Sequence, residues 1–159
     1  MPLDIRTIIA ATDFSAAAQP ATAYAVRLAH ALQAQLFLIH VVPEEDIRLL
    51  TSICQHLQSI IAPKTLTDVL YTAAEQQLSQ LIREAQASDI VPESLVVTGA
   101  PAQTILSWAA AKQAQLIILG SHGRRGLSRV LMGSVAEQVL RQAPGAVLVV
   151  PAHGSSAGQ

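Results

Sequence analysis

The chain has one cysteine, Cys54, which rules out an internal disulfide and any cysteine-rich metal site. Cys54 falls on an apolar helical face, where a buried, inert thiol is expected. Its five histidines show no HxxxH pair or other metal-ligand spacing. Charged residues make up only 13% and the formal net charge is −1, so the electrostatic footprint of a nucleic-acid binder is missing. No apolar run approaches the ~20 residues of a membrane span. The start, Met1-Pro-Leu-Asp-Ile-Arg6, lacks the basic region and apolar stretch of a secretory signal. A cytoplasmic protein is the expectation.

Aromatics are also scarce, at 3%, against 51% hydrophobic residues overall. Alanine, leucine, isoleucine and valine must therefore build the interior of the 159-residue chain. That composition suits parallel strands covered by helices on both faces. Short branched runs recur along the chain, at 6–13, 35–42, 94–98, 115–119 and 146–150. Between them lie helical spacings: 18–32, 49–61, 66–85, 102–113 and 134–142. Pro20 suits the opening position of a helix, so residues 15–19 are expected to form an irregular first turn. Asp13 or Ser15 is available to cap that helix. The extra segment 45–61 reads as a lid, a partner surface or, most plainly, a packing helix. His30 and His56 fall on helix surfaces, and His40 at the core or rim of a strand end.

This alternation predicts a doubly wound five-stranded parallel sheet, order 3-2-1-4-5, with helices on both faces. One domain over 1–151 and a flexible tail at 152–159 are expected. In such a sheet ligands bind at the carboxyl edge where strand order reverses, here between the ends of strands one and four. Those ends carry Asp13 and Gly120. Four glycines, Gly120, Gly123, Gly126 and Gly133, follow strand four and lead into a helix at Ser134. A glycine loop feeding a helix N-terminus presents free N–H groups to an anion, usually phosphate. No Gly-Lys pair is present, so it is not a P-loop, and the dinucleotide G-x-G-x-x-G spacing is missing as well. Arg124, Arg125 and Arg129 place a small basic cluster inside the loop, and His122 either faces the ligand or fills the turn.

Taken together, Ala10-Ala-Thr-Asp13-Phe14-Ser15, His40-Val41-Val42, Gly99-x-Pro101 and Gly120-x2-Gly123-x9-Gly133-Ser134 resemble the universal stress protein family, in its nucleotide-binding branch. The resemblance runs over essentially the whole domain. It implies an ATP-binding, usually homodimeric protein with Mg2+ accompanying the nucleotide. By that resemblance Gly120 and Gly123 give N–H groups to the inner phosphates, while Gly133 and Ser134, with Val135 beside them, hold the outer ones. Asp13 meets the ribose or a magnesium ion, Ala11 and Thr12 line the sugar, and Val41 lies at the adenine. Leu119 forms a wall, and Arg124 offsets phosphate charge. Pro20 and the alanines after Ser15 depart from the family pattern.

Three function classes follow. The first is a nucleotide-dependent regulatory module of the stress response. The second is an enzyme on the same frame, a slow ATPase or a nucleotide-dependent transferase; in either class AMP or a cyclic adenine nucleotide could take the place of ATP. The third, a phosphoacceptor receiver domain, wants an acidic cluster at strand one and a lysine after strand five. The chain offers Asp13 alone and Pro151, so that reading is rejected. No general base stands out, and the protein is expected not to be an enzyme. The last strand, with Val147, Leu148, Val149 and Val150, is an apolar sheet edge, and pairing with a second copy would cover it.

Overall fold

The computed structural model describes residues 4–56, 63–85, 90–122 and 132–152. In chain order the elements are β1 (Thr7–Ala11), α1 (Gln19–Leu32), β2 (Gln35–Pro43), α2 (Glu44–His56) and α3 (Pro63–Ala85). They continue with β3 (Glu93–Gly99), α4 (Pro101–Ala111), β4 (Leu116–Gly120), α5 (Ser134–Gln142) and β5 (Ala146–Val150). The strands form one parallel sheet in the order β3-β2-β1-β4-β5, as the alternation predicts.

Side chains alternate across a strand, and here both faces are buried. Ile8, Ala10, Leu36, Leu38, Leu116 and Ile118 point to one side, where α1 packs through Ala21, Ala25 and Ala29 and α3 through Leu78. Ile9, Phe37, Ile39, Ile117 and Leu119 point to the other, against Ala102, Ile105 and Ala109 of α4 and Val139 of α5. The alanine stripe of α1 has no bulk beyond Cβ, so that helix lies close on the three central strands. Gln115 links the amino-terminal ends of β1 and β4: its Oε1 accepts the backbone N–H groups of Arg6 (3.0 Å) and Thr7 (2.8 Å). Trp108 is half-buried on α4, with Lys112 Nζ 5.8 Å from its ring centroid and 4.5 Å from that of Phe37.

Several local expectations change. Helix α1 opens at Gln19 with Pro20 in its first turn, so the irregular stretch at 15–18 is as expected. Its N-cap, however, is Ala18, with no side-chain cap. Neither Asp13 nor Ser15 caps it, because both are engaged in a turn of their own. Within segment 45–61, the described helix α2 packs against α3 and β2 without a fully buried residue, and Leu49 is 60% exposed. Cys54 is half-buried on that helix rather than interior. The expected tail falls outside the described residues apart from Ala152. Among the described residues no helix is long and apolar enough to cross a membrane.

Candidate functional site

The strand order reverses at β1, where β2 and β4 flank it on opposite sides. Chain leaving β1 and β4 must diverge there, which opens a crevice at the carboxyl edge of the sheet. In this molecule the crevice holds about 770 Å³, within the usual range for small-molecule sites. Ala11, Thr12 and Asp13 enter it from β1, Val41 from β2, Leu119 and Gly120 from β4, and Gly133, Ser134 and Val135 from the start of α5. Every residue expected at the site and lying among the described ones therefore lines a single cavity. Gly123 and Arg124 fall outside the described residues.

Asp13 is held by local chemistry. Its Oδ1 accepts the Ser15 backbone N–H (3.0 Å) and the Ser15 hydroxyl (2.6 Å), an Asx turn that carries the chain off the strand. The Thr12 Oγ1 accepts the Phe14 N–H (3.1 Å), and Phe14 itself adopts φ 63°. That left-handed conformation is uncommon for a bulky residue. It sets the Phe14 ring 4.3 Å from the imidazole of His40. His40 is buried (5% exposed), with Nδ1 2.9 Å from the Thr12 carbonyl oxygen. A carbonyl only accepts, so His40 Nδ1 carries the hydrogen and braces the Thr12 backbone from β2. His40 thus belongs to both core and rim.

On the opposite wall, the Ser121 N–H donates to the Val150 carbonyl (2.9 Å) and the Gly133 N–H donates to the Ser121 carbonyl (2.7 Å). These bonds place the start of α5 beside the end of β4. Helix α5 has Gly133 as N-cap, without a side-chain cap. Its first turn therefore keeps N–H groups that no intrahelical carbonyl takes, with the positive end of the helix dipole behind them. Gly120 is needed for closeness and not for an unusual backbone. A Cβ there would sit 3.1 Å from the Ala17 carbonyl oxygen and 3.4 Å from Ala18 Cα. Gly133, at φ −64° and ψ 148°, is likewise in an ordinary region. Among the described glycines only Gly99 has a positive φ.

The charge of the crevice is divided by strand. Glu44, Glu45 and Asp46 line it at the first turn of α2, along with Arg48. They follow β2, whereas Gly120 ends β4, two strands away, or roughly 10 Å at ~4.8 Å per strand. Acids at the α2 N-terminus complement that helix's dipole. The loop side instead offers backbone N–H groups, which suit an anion. The sequence alone did not mark this acidic rim, because three acids opening a helix read as ordinary first-turn residues; the run Glu44-Glu-Asp46 after Pro43 was its one available signal. Among the described residues no three His, Cys, Asp or Glu side chains converge as a metal cage. Asp13 at the end of β1 fits the alternative way of holding Mg2+, by one carboxylate plus the ligand's own phosphates.

Comparison with known proteins agrees with this architecture. Residues 4–151 match the model of the universal stress protein family. The universal stress protein YxiE of Bacillus subtilis is 30% identical over 145 residues, covering 87% of this chain and 92% of its own. The universal stress protein MJ0577 of Methanocaldococcus jannaschii is 26% identical over 162 residues, spanning 98% of this chain and all of that one. Its solved structure superposes with a TM-score of 0.76 at 25% identity, covering 96% and 100% of the two chains. A universal stress protein solved in complex with cAMP shares the fold at 23% identity, TM-score 0.62, covering 94% and 98%. With the sheet order, the crevice and these matches in hand, the chain belongs to the universal stress protein family.

Proposed function

We propose that this protein binds an adenine nucleotide, ATP with Mg2+, in the crevice between β1 and β4, and acts as a nucleotide-dependent regulatory module. The observation that carries the reading is the convergence of Asp13 after β1, Gly120 at the end of β4 and Gly133 at the start of α5 on one 770 Å³ cavity. In this reading the phosphates lie against the backbone of Gly120 and the first turn of α5, where N–H groups need an acceptor. Ser134, exposed at the first position of that helix, adds a hydroxyl. The ribose lies against Ala11, Thr12 and Asp13, with Asp13 meeting the sugar or the metal. Adenine lies toward Val41, packed on Ile39 and Ile105, with Leu119 as the wall. Gly123 and Arg124 would complete the phosphate side.

A smaller adenine nucleotide is the second reading, favoured by the cAMP found in a protein of the same fold. Both readings use the same walls and differ in how much of the loop side they occupy. Turnover has less support. Asp13 Oδ1 is already engaged by Ser15, and among the described residues no other side chain is placed as a base against an attacking water. Dimerisation through β5 belongs to the same proposal: Val147, Leu148 and Val149 are half-buried on an edge strand, and a second copy would pair their open backbone groups.

The test is to denature purified protein and identify any released nucleotide, then titrate stripped protein with ATP, AMP and cAMP by calorimetry. Binding of ATP tighter than AMP supports the proposal, and absence of any adenine-nucleotide binding refutes it. Incubation with ATP followed by phosphate assay separates module from enzyme: many turnovers within minutes would favour the ATPase. Sedimentation at micromolar concentration reports the dimer, and a monomer would remove the β5 proposal.

A further inference from the structure

Helix α2 stands between two hollows. Its crevice side carries Glu44, Glu45 and Arg48, which line the 770 Å³ cavity. Its other side carries Leu49 and Leu50, which line a second, largely apolar hollow of about 290 Å³ against α3. Helical spacing accounts for the split, since residues three and four apart share a face: 44 and 45 with 48, and 46 with 49 and 50. Asp46 lines both spaces. The strand beneath is divided in the same way, with Val41 in the crevice and its neighbour Val42 in the hollow. The helix therefore rides across the carboxyl end of β2, which runs into it at Pro43 with no residue between.

The two helices that bound the hollow are held very differently. Helix α3 is anchored: Ala74 and Leu78 are buried, and the Tyr71 hydroxyl lies 2.6 Å from the Thr98 hydroxyl of β3. Helix α2 has no buried residue, and Leu49 and Ile53 are 60% and 44% exposed. Few buried apolar contacts mark an element that moves at low cost. Arg48 gives such a motion something to respond to. Among the described residues lining the crevice it alone carries a permanent positive charge, and it makes no ion pair with a described residue, even with Glu44 one turn away.

We propose that α2 is a lid. With nucleotide in the crevice it leans away from α3, pivoting at Pro43, and Arg48 donates a hydrogen bond to a phosphate oxygen. Glu44 and Glu45, both exposed, stay turned to water. Leaning widens the apolar hollow, a cost that the charge-assisted contact offsets, so the nucleotide sets the balance. The proposal rests on the adenine-nucleotide reading of the crevice.

Cys54 provides the test. It is the chain's single cysteine, half-buried on α2 one turn beyond Leu50 and outside the crevice lining, so its thiol reports the helix and not the ligand. The full chain is treated with a chromogenic disulfide reagent alone, with ATP and Mg2+, and with adenosine, and binding of each compound is measured by calorimetry. Leaning uncovers Cys54, so ATP should speed its modification at least about threefold. Adenosine, which has no phosphate, should not. Arg48→Ala should lower ATP affinity about tenfold and leave adenosine affinity within about twofold. The same variant should abolish the acceleration, and Arg48→Lys should recover part of both losses. Ala73→Leu fills the hollow from α3 and props the lid outward, so ATP should bind more tightly; unchanged or weaker binding would contradict the lean. ATP that binds yet leaves the Cys54 rate unchanged, or slows it as general stabilisation of the fold would, overturns the lid while the crevice reading stands. Wild-type ATP affinity in Arg48→Ala overturns it too. Protein that binds no adenine nucleotide overturns both.

Discussion

Replacing Gly120 with alanine is the most direct probe of how the crevice is built. Gly120 lies two residues beyond Ile118, so an added methyl points to the same face, toward the turn before α1. There it meets the Ala17 carbonyl oxygen at 3.1 Å, the His122 carbonyl oxygen at 3.3 Å and Ala18 Cα at 3.4 Å. All three are backbone atoms and cannot rotate away. Ordinary contact begins at 3.4 Å, so the closest pair falls short by 0.3 Å and the turn must retreat from β4. Overpacking of this kind costs about 1–3 kcal/mol. For a chain of this length that is a fall in Tm of roughly 2–12 °C, at ~2–4 °C per kcal/mol. Because Ala18 also lines the crevice, ATP affinity should fall with stability. Differential scanning calorimetry and ATP titration of the same preparation measure both effects. A variant with wild-type Tm and wild-type affinity would refute the close-approach argument.

Gly133→Val should behave differently, because φ −64° and ψ 148° are open to any L residue. The fold should survive with a small loss of helix capping, about 1 kcal/mol. ATP affinity should fall at least ~10-fold by calorimetry as the side chain enters the crevice. Gln115→Ala removes the acceptor of two backbone N–H groups at an exposed site, and urea denaturation should show a loss of about 1–2 kcal/mol. Gln113→Gly should stabilise by about 0.5–1 kcal/mol, seen as a higher urea midpoint, since residue 113 sits at φ 51°.

Much of this was legible in the residues because burial leaves a simple trace. Ile8-Ile9 and Leu116-Ile-Ile-Leu119 are apolar on both faces, which only a covered parallel strand requires, and so the strand order could be reasoned out. The convergence of Asp13 and Gly120 followed from that order. What stayed hidden was local geometry that composition does not encode. Asp13 reads equally well as a helix cap or as an Asx-turn acceptor, and the choice is made by where Pro20 lets α1 begin. Gly120 reads as a residue kept small for a ligand, yet it also makes room for Ala17, a contact between residues 103 positions apart. The exposure of α2 was equally hidden: Leu49 and Ile53 keep helical spacing although each is more than 40% exposed.

The bond from Gly133 to Ser121 has a consequence for how such a site diversifies. It fixes the distance between the carboxyl end of β4 and the start of α5 through one main-chain bond that no side chain takes part in. A lineage can therefore exchange the side chains at positions 121 and 133 without removing that tie, while the framework that holds the crevice walls apart is inherited intact.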